Sequence, residues 1–143
     1  MSMPVVSEQS VRISWHRHIT ARCAVGTAHL LVKVPPHRLR RVLRAVSRGS
    51  RPATAAETLD ARTSVVSVSA WCAGQGCLER SIATVLLCRL HGAWPDWCTG
   101  VRTQPFRAHA WVEAEGGPVG EPDDTGLFHT MMGVRHPAGE KTR

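Results

Sequence analysis

Cys77 follows the turn Gly74-Gln75-Gly76 and opens an apolar, helix-patterned run from Leu78 to Leu87. A thiol at a helix N-terminus faces unpaired backbone N–H groups, which stabilise its thiolate; a nearby imidazolium does so further. His109 lies in Phe106-Arg107-Ala108-His109-Ala110-Trp111-Val112-Glu113, which reads as a strand. A thiol on a helix start and an imidazole on a strand are the parts of a cysteine nucleophile and its base. The glycines before Cys77 let a substrate backbone approach, and the Cys77 N–H could contribute to an oxyanion hole.

The remaining cysteines lack that setting. Cys23 and Cys88 read as small buried hydrophobes. Cys88 also falls at the far end of its helix, where the dipole disfavours a thiolate. Cys72 precedes the turn, and Cys98 falls in a strand near Trp94 and Trp97. His109 competes with seven histidines of no distinctive context, namely His16, His18, His29, His37, His91, His129 and His136. Alternation puts His109 on one strand face with Arg107, Trp111 and Glu113. That face reads equally as a site floor or as an ordinary solvated face.

An imidazole base needs a third group to orient it. A three-residue loop, Glu115-Gly116-Gly117, would pair Trp111 with Glu121. Glu121 would then share the His109 face, diagonal to it at ~7–8 Å in backbone terms. Asp123 would share the face if pairing ran past Pro122, and a two-residue loop would bring Asp124 there instead. The predicted acid is Glu121.

The elements that must hold these residues can be read from spacing. A helix is predicted from about Trp15 to Lys33, with Ile19, Cys23, Leu30 and Leu31 among its apolar positions. Pro35-Pro36 breaks it. Leu39, Val42, Leu43 and Val46 give a short amphipathic helix with arginines on its other face. Thr54-Ala55-Ala56-Glu57 has capping-box spacing and starts a third helix, whose second half is rich in β-branched residues. The Cys77 helix is predicted to bury Leu78, Ile82, Val85, Leu86 and Leu90, and to end at His91-Gly92. Strands follow over Trp94–Val101, Phe106–Glu113, Pro118–Glu121 and Leu127–Val134. Helices first and strands second imply an α+β fold, with N-terminal helices followed by a catalytic helix packed on an antiparallel sheet. The expected organisation is a single domain: an N-terminal segment over 1–14, a helical part over 15–75, the catalytic helix and sheet over 76–135, and a flexible tail over 136–143.

Composition narrows the setting. At 143 residues and 43% hydrophobic, the chain can bury a real core. No export signal and no apolar run near the ~20 residues of a membrane span are visible, so a soluble, cytoplasmic protein is expected. Five cysteines, an odd count, argue for reduced thiols rather than a disulfide framework. No Cys-x-x-Cys pair exists, which argues against zinc; no metal or other cofactor is expected. A net charge of +7, with Arg38, Arg40, Arg41, Arg44, Arg48 and Arg51 in one stretch, suggests an acidic partner.

The runs Cys77-Leu78-Glu79-Arg80-Ser81-Ile82-Ala83, Gly100-Val101-Arg102, Pro105 to Glu113 and Gly117-Pro118-Val119-Gly120 resemble the lasso-peptide maturation proteases. These belong to the transglutaminase-like group of papain-type cysteine peptidases. The resemblance spans Cys77 to about Glu121. It implies a papain-like or transglutaminase-like fold, with Cys77 as nucleophile and His109 as base. The family's third member is usually an aspartate twelve residues after the histidine; here that position is Glu121. The resemblance further implies removal of the leader from a ribosomally made lasso precursor, often after a leader whose penultimate residue is threonine. The implied partners are the precursor leader peptide, a small winged-helix-like leader-binding protein and an asparagine-synthetase-like cyclase. The chain's size fits the stand-alone protease of such a split system. The papain signature around the cysteine is absent, which leaves the role of Gln75 open. The alternatives are a transglutaminase-like acyltransferase on the same residues, and a basic nucleic-acid-binding module. The arginine cluster lacks the interleaved aromatics that the latter would use.

Overall fold

The computed structural model describes residues 7–137. Helix α1 spans Trp15–Leu31 and α2 spans Pro36–Ser47, with Pro36 in the first turn, where its missing N–H costs nothing. The two-residue strand β1 (Arg51–Pro52) leads into α3 (Ala55–Val68) and the single turn α4 (Ala70–Ala73). Helix α5 runs Cys77–Leu90. Strand β2 (Ala93–Trp94) pairs in parallel with β1. Strands β3 (Asp96–Thr103), β4 (Phe106–Ala114), β5 (Gly117–Pro118) and β6 (His129–Val134) form an antiparallel sheet in the order β5-β4-β3-β6. A 3-10 turn, Asp123–Leu127, fills the start of the last predicted strand. The fold is α+β with helices first and sheet second, as the order of patterns implied.

The predicted capping box forms in full. The Thr54 hydroxyl accepts from the Glu57 N–H at 3.1 Å, and the Glu57 carboxylate accepts from the Thr54 N–H at 3.0 Å. Helix α3 survives its β-branched second half because Val65 and Val66 are buried there. Packing outweighs their weak helix propensity. In α1 the buried positions are Ala21, Ala24 and Ala28, while Ile19 and Leu30 are largely exposed and Cys23 lies on the surface. Small side chains let α1 approach the rest of the core closely, so Ile19, Cys23 and Leu30 point outward, while Leu31 packs against the core as expected. Helix α5 is the central element and buries Ile82, Ala83, Val85 and Leu87; Leu90, expected inside, is exposed. Trp94 and Trp97 are fully buried, and both indole N–H groups are satisfied, at Val134 O (3.1 Å) and Ser81 Oγ (3.0 Å).

The β4–β5 hairpin differs from its predicted form. Ala114 pairs with Gly117 and Glu113 with Pro118, so the loop is the two residues Glu115-Gly116. Both have positive φ (53° and 87°), the type I′ geometry favoured between twisted strands. The ladder ends with the Val119 N–H on Val112 O, and the return strand is shorter than Pro118–Glu121. The tail predicted from His136 begins differently as well: the His136 N–H donates to Asp96 Oδ1 at 2.7 Å, and its Nε2 lies 2.8 Å from Ser50 O. Residues 138–143 of that tail, and the first six residues of the N-terminal segment, lie outside the described residues.

Candidate active site

Cys77 is the first residue of α5, with Gly76 as N-cap, and is half-buried. Its sulfur hydrogen-bonds the His109 imidazole and the Ala110 backbone. The hairpin explains why that backbone is available. The main-chain groups of Val112 and Ala110 face the same strand edge, because backbone direction repeats every second residue. Val112 is paired by Val119, but β5 reaches no further, and the Ala110 N–H, beyond the end of that pairing, is the backbone group that favours the Cys77 thiolate.

His109 Nε2 lies 2.7 Å from Glu121 Oε2, which leaves Nδ1 for the sulfur. Glu121 is thus bonded to His109 although the two-residue loop should have turned it away. Gly120 supplies the reason. Its φ of +67° is left-handed and breaks the strand alternation, so the chain swings Glu121 back toward the imidazole. Asp124 instead pairs with Arg102 at 3.0 Å, and Asp123 opens the 3-10 turn.

The acid has partners that sequence reasoning did not supply. The Glu121 side chain is only 2% exposed, with Arg62 3.5 Å and Arg80 4.0 Å from Oε1. Arg62 is held in turn by Glu8 through two contacts of 2.6 and 2.7 Å. Arg80 also donates to Cys72 O at 2.9 Å. A signal for both arginines existed: Arg62 lies on the buried stripe of α3, and Arg80 one turn from Cys77 on that of α5. A charge on a buried face requires a buried partner.

Two aromatic rings wrap the imidazole. Trp111 is stacked at 6.0 Å between centroids and Phe128 is tilted at 5.5 Å. Gly100, opposite His109 in the β3–β4 register, has no room for a side chain: a Cβ there would lie 2.9 Å from the Trp111 ring.

These contacts set the protonation states. Burial pushes the Cys77 thiol up, but the His109 and Ala110 hydrogen bonds and the charges of His109 and Arg80 outweigh it, leaving a net depression. Burial pushes His109 down, yet its bonds to Cys77 and Glu121 raise it to about 9. The two groups therefore favour each other's charged forms, the thiol depressed and the imidazole raised. Burial drives Cys88 and Cys98 up to about 12 and raises Cys72, so none of these three is primed to ionise. The Cys77 N–H, expected to serve an oxyanion, donates to Gln75 O at 2.9 Å. The amides of Leu78 and Glu79, in the same first turn, lack helical acceptors by geometry.

A cleft of about 370 Å³ opens over Cys77 and His109. Its apolar walls include Val32, Val34, Leu39, Leu78, Val101 and Met132. A larger cavity of about 480 Å³ lies elsewhere, among Arg17, Glu57, Asp60, Cys88 and His91. It lacks an activated nucleophile, since its thiol is the strongly raised Cys88. Among the described residues, no group of three or more His, Cys, Asp or Glu side chains converges to hold a metal ion. Nor is any described helix long and apolar enough to cross a membrane.

No curated protein and no solved structure matches the chain. Residues 21–133 match the Transglutaminase-like superfamily, which includes cysteine-dependent peptidases and acyltransferases. The matched stretch runs from within α1 to all but the last residue of β6, with Cys77, His109 and Glu121 inside it. By a match over well over half of its length, the chain belongs to the Transglutaminase-like superfamily.

Proposed function

We propose that this chain is a cysteine peptidase that removes the leader from a ribosomally made lasso-peptide precursor, with Cys77, His109 and Glu121 as its catalytic residues. The observation that carries the proposal is the Cys77–His109–Glu121 relay, with its 2.7 Å imidazole–carboxylate contact and depressed thiol. The order and spacing of the motifs from Cys77 to Glu121 support the choice of substrate.

The Cys77 thiolate attacks the carbonyl carbon at the leader–core junction, forming the C–S bond and a tetrahedral oxyanion. Backbone N–H groups at the start of α5 stabilise that charge. His109 delivers its proton from Nδ1 to the departing amine as the C–N bond breaks. The thioester is then hydrolysed, with neutral His109 taking a proton from the attacking water and Cys77 leaving as thiolate. Glu121 holds the ring by Nε2 and stabilises the imidazolium. The reaction belongs in the cytoplasm, with a winged-helix-like protein presenting the leader and an asparagine-synthetase-like cyclase consuming the freed core.

The test is to incubate the protein with a lasso precursor and its leader-binding partner and to follow leader release by mass spectrometry. Cys77→Ala should abolish release and His109→Ala should come close. Glu121→Gln should lower kcat on the order of 10²-fold. Full release by Cys77→Ala would sink the assignment. Adding a primary amine distinguishes the acyltransferase: a leader–amide adduct in place of free leader would mean that the thioester passes to amines.

A further inference from the structure

A second groove, of about 410 Å³, lies between α2 and β6, the edge strand of the main sheet. One wall carries Arg40, Arg44 and Arg48, spaced four residues apart and all exposed. Among the described residues no carboxylate pairs with any of the three. Arg135, also in the groove, differs in being engaged by Asp96 (3.2 Å) and Glu113 (3.4 Å). The Arg40 guanidinium donates to Gly133 O at 3.2 Å, which fixes the row of arginines against the strand.

The groove adjoins the catalytic cleft across β6. Met131 and Met132 line both, and Leu39 of the cleft immediately precedes Arg40 of the groove. A peptide leaving the cleft along β6 would pass from apolar walls onto three arginines that no carboxylate among the described residues pairs with.

We infer that this groove binds an acidic segment of the same peptide whose scissile bond lies at Cys77. This rests on the peptidase reading and adds a substrate class: extended chains bearing carboxylates a few residues from the cleaved bond. Two features favour a peptide over nucleic acid. The opposite wall is a strand edge, which presents backbone donors and acceptors to an extended chain. The groove also lacks the aromatic platforms on which bases stack. Each exposed arginine contributes little alone, but three in a row discriminate and steer.

The probes are two ten-residue peptides, one alternating glutamate with valine and one alternating glutamine with valine, each fluorescein-labelled. At low salt the glutamate peptide should bind about tenfold tighter, as three exposed ion pairs would give. The preference should shrink as salt is added. In Arg40→Glu/Arg44→Glu it should vanish. Circular dichroism and the rate of Cys77 alkylation by iodoacetamide, mapped by mass spectrometry, report whether that variant keeps its fold and site. In the wild type, the bound glutamate peptide should slow alkylation of Cys77, because it reaches into the cleft. Equal affinity for the two peptides would overturn the inference. So would an undiminished preference in the variant, unprotected Cys77, or displacement of the peptide by an equimolar single-stranded decanucleotide. None of these readouts requires turnover, so a failure of precursor cleavage would count against the peptidase reading alone.

Discussion

Cys77 and His109 each favour the other's charged form, and a pH profile should show it. The thiolate forms as pH rises through the depressed Cys77 value, and the imidazolium persists until about 9. The rate kcat/KM should therefore rise on the acid side below the usual thiol range and fall on the alkaline side near pH 9. Alkylation of Cys77 by iodoacetamide should follow the acid limb only. An alkaline limb near 6.5, the free imidazole value, would mean that Glu121 and Cys77 do not hold the proton on His109. In Glu121→Gln that limb should move to lower pH, because the neutral amide no longer favours the cation.

At the scale of elements, the short β5 and the left-handed Gly120 decide where the acid goes. Gly120→Ala should strain a positive φ, and its new Cβ would lie 2.8 Å from Arg62 Cδ, a side chain with no room to retreat. A loss of stability of about 1–3 kcal/mol is expected, together with a drop in kcat as Arg62 and Glu121 shift. Urea unfolding and steady-state kinetics would measure the two. Thr54→Ala should cost about 1 kcal/mol through the lost cap of α3 and leave kcat unchanged. These elements also show what the residues alone could specify. The Cys77 helix start and the α3 cap were legible because local chemistry dictates them: a glycine turn in one case, a reciprocal pair of hydrogen bonds in the other. The His109–Glu121 contact was anticipated through a hairpin register that does not form. The turn is one residue shorter, and a single φ at Gly120 restores the direction that the shorter turn would have lost. The alanine face of α1 was hidden because close approach to the core, not side-chain size, selects it.

Across the whole molecule, the site draws on segments from both ends of the described chain. Glu8 comes from the N-terminal segment, which is tied down by its own N–H to Ala73 O and by the Val11 N–H to Ser67 Oγ, both at 2.9 Å. Arg62 comes from α3, Arg80 and Cys77 from α5, His109 from β4, and Glu121 from the segment after β5. Arg62→Met would leave Glu8 without its partner and Glu121 short of one of its two guanidinium neighbours. A loss of about 3 kcal/mol is expected, read from urea midpoints. The double variant Glu8→Gln/Arg62→Met should recover part of it. Glu121 is the hub of this set: it meets His109 on one oxygen and Arg62 and Arg80 on the other, and Arg62 is answered in turn by Glu8. It follows that the relay cannot be grafted elsewhere as three residues: a host scaffold must import these counter-charges as well, or supply its own for the buried carboxylate.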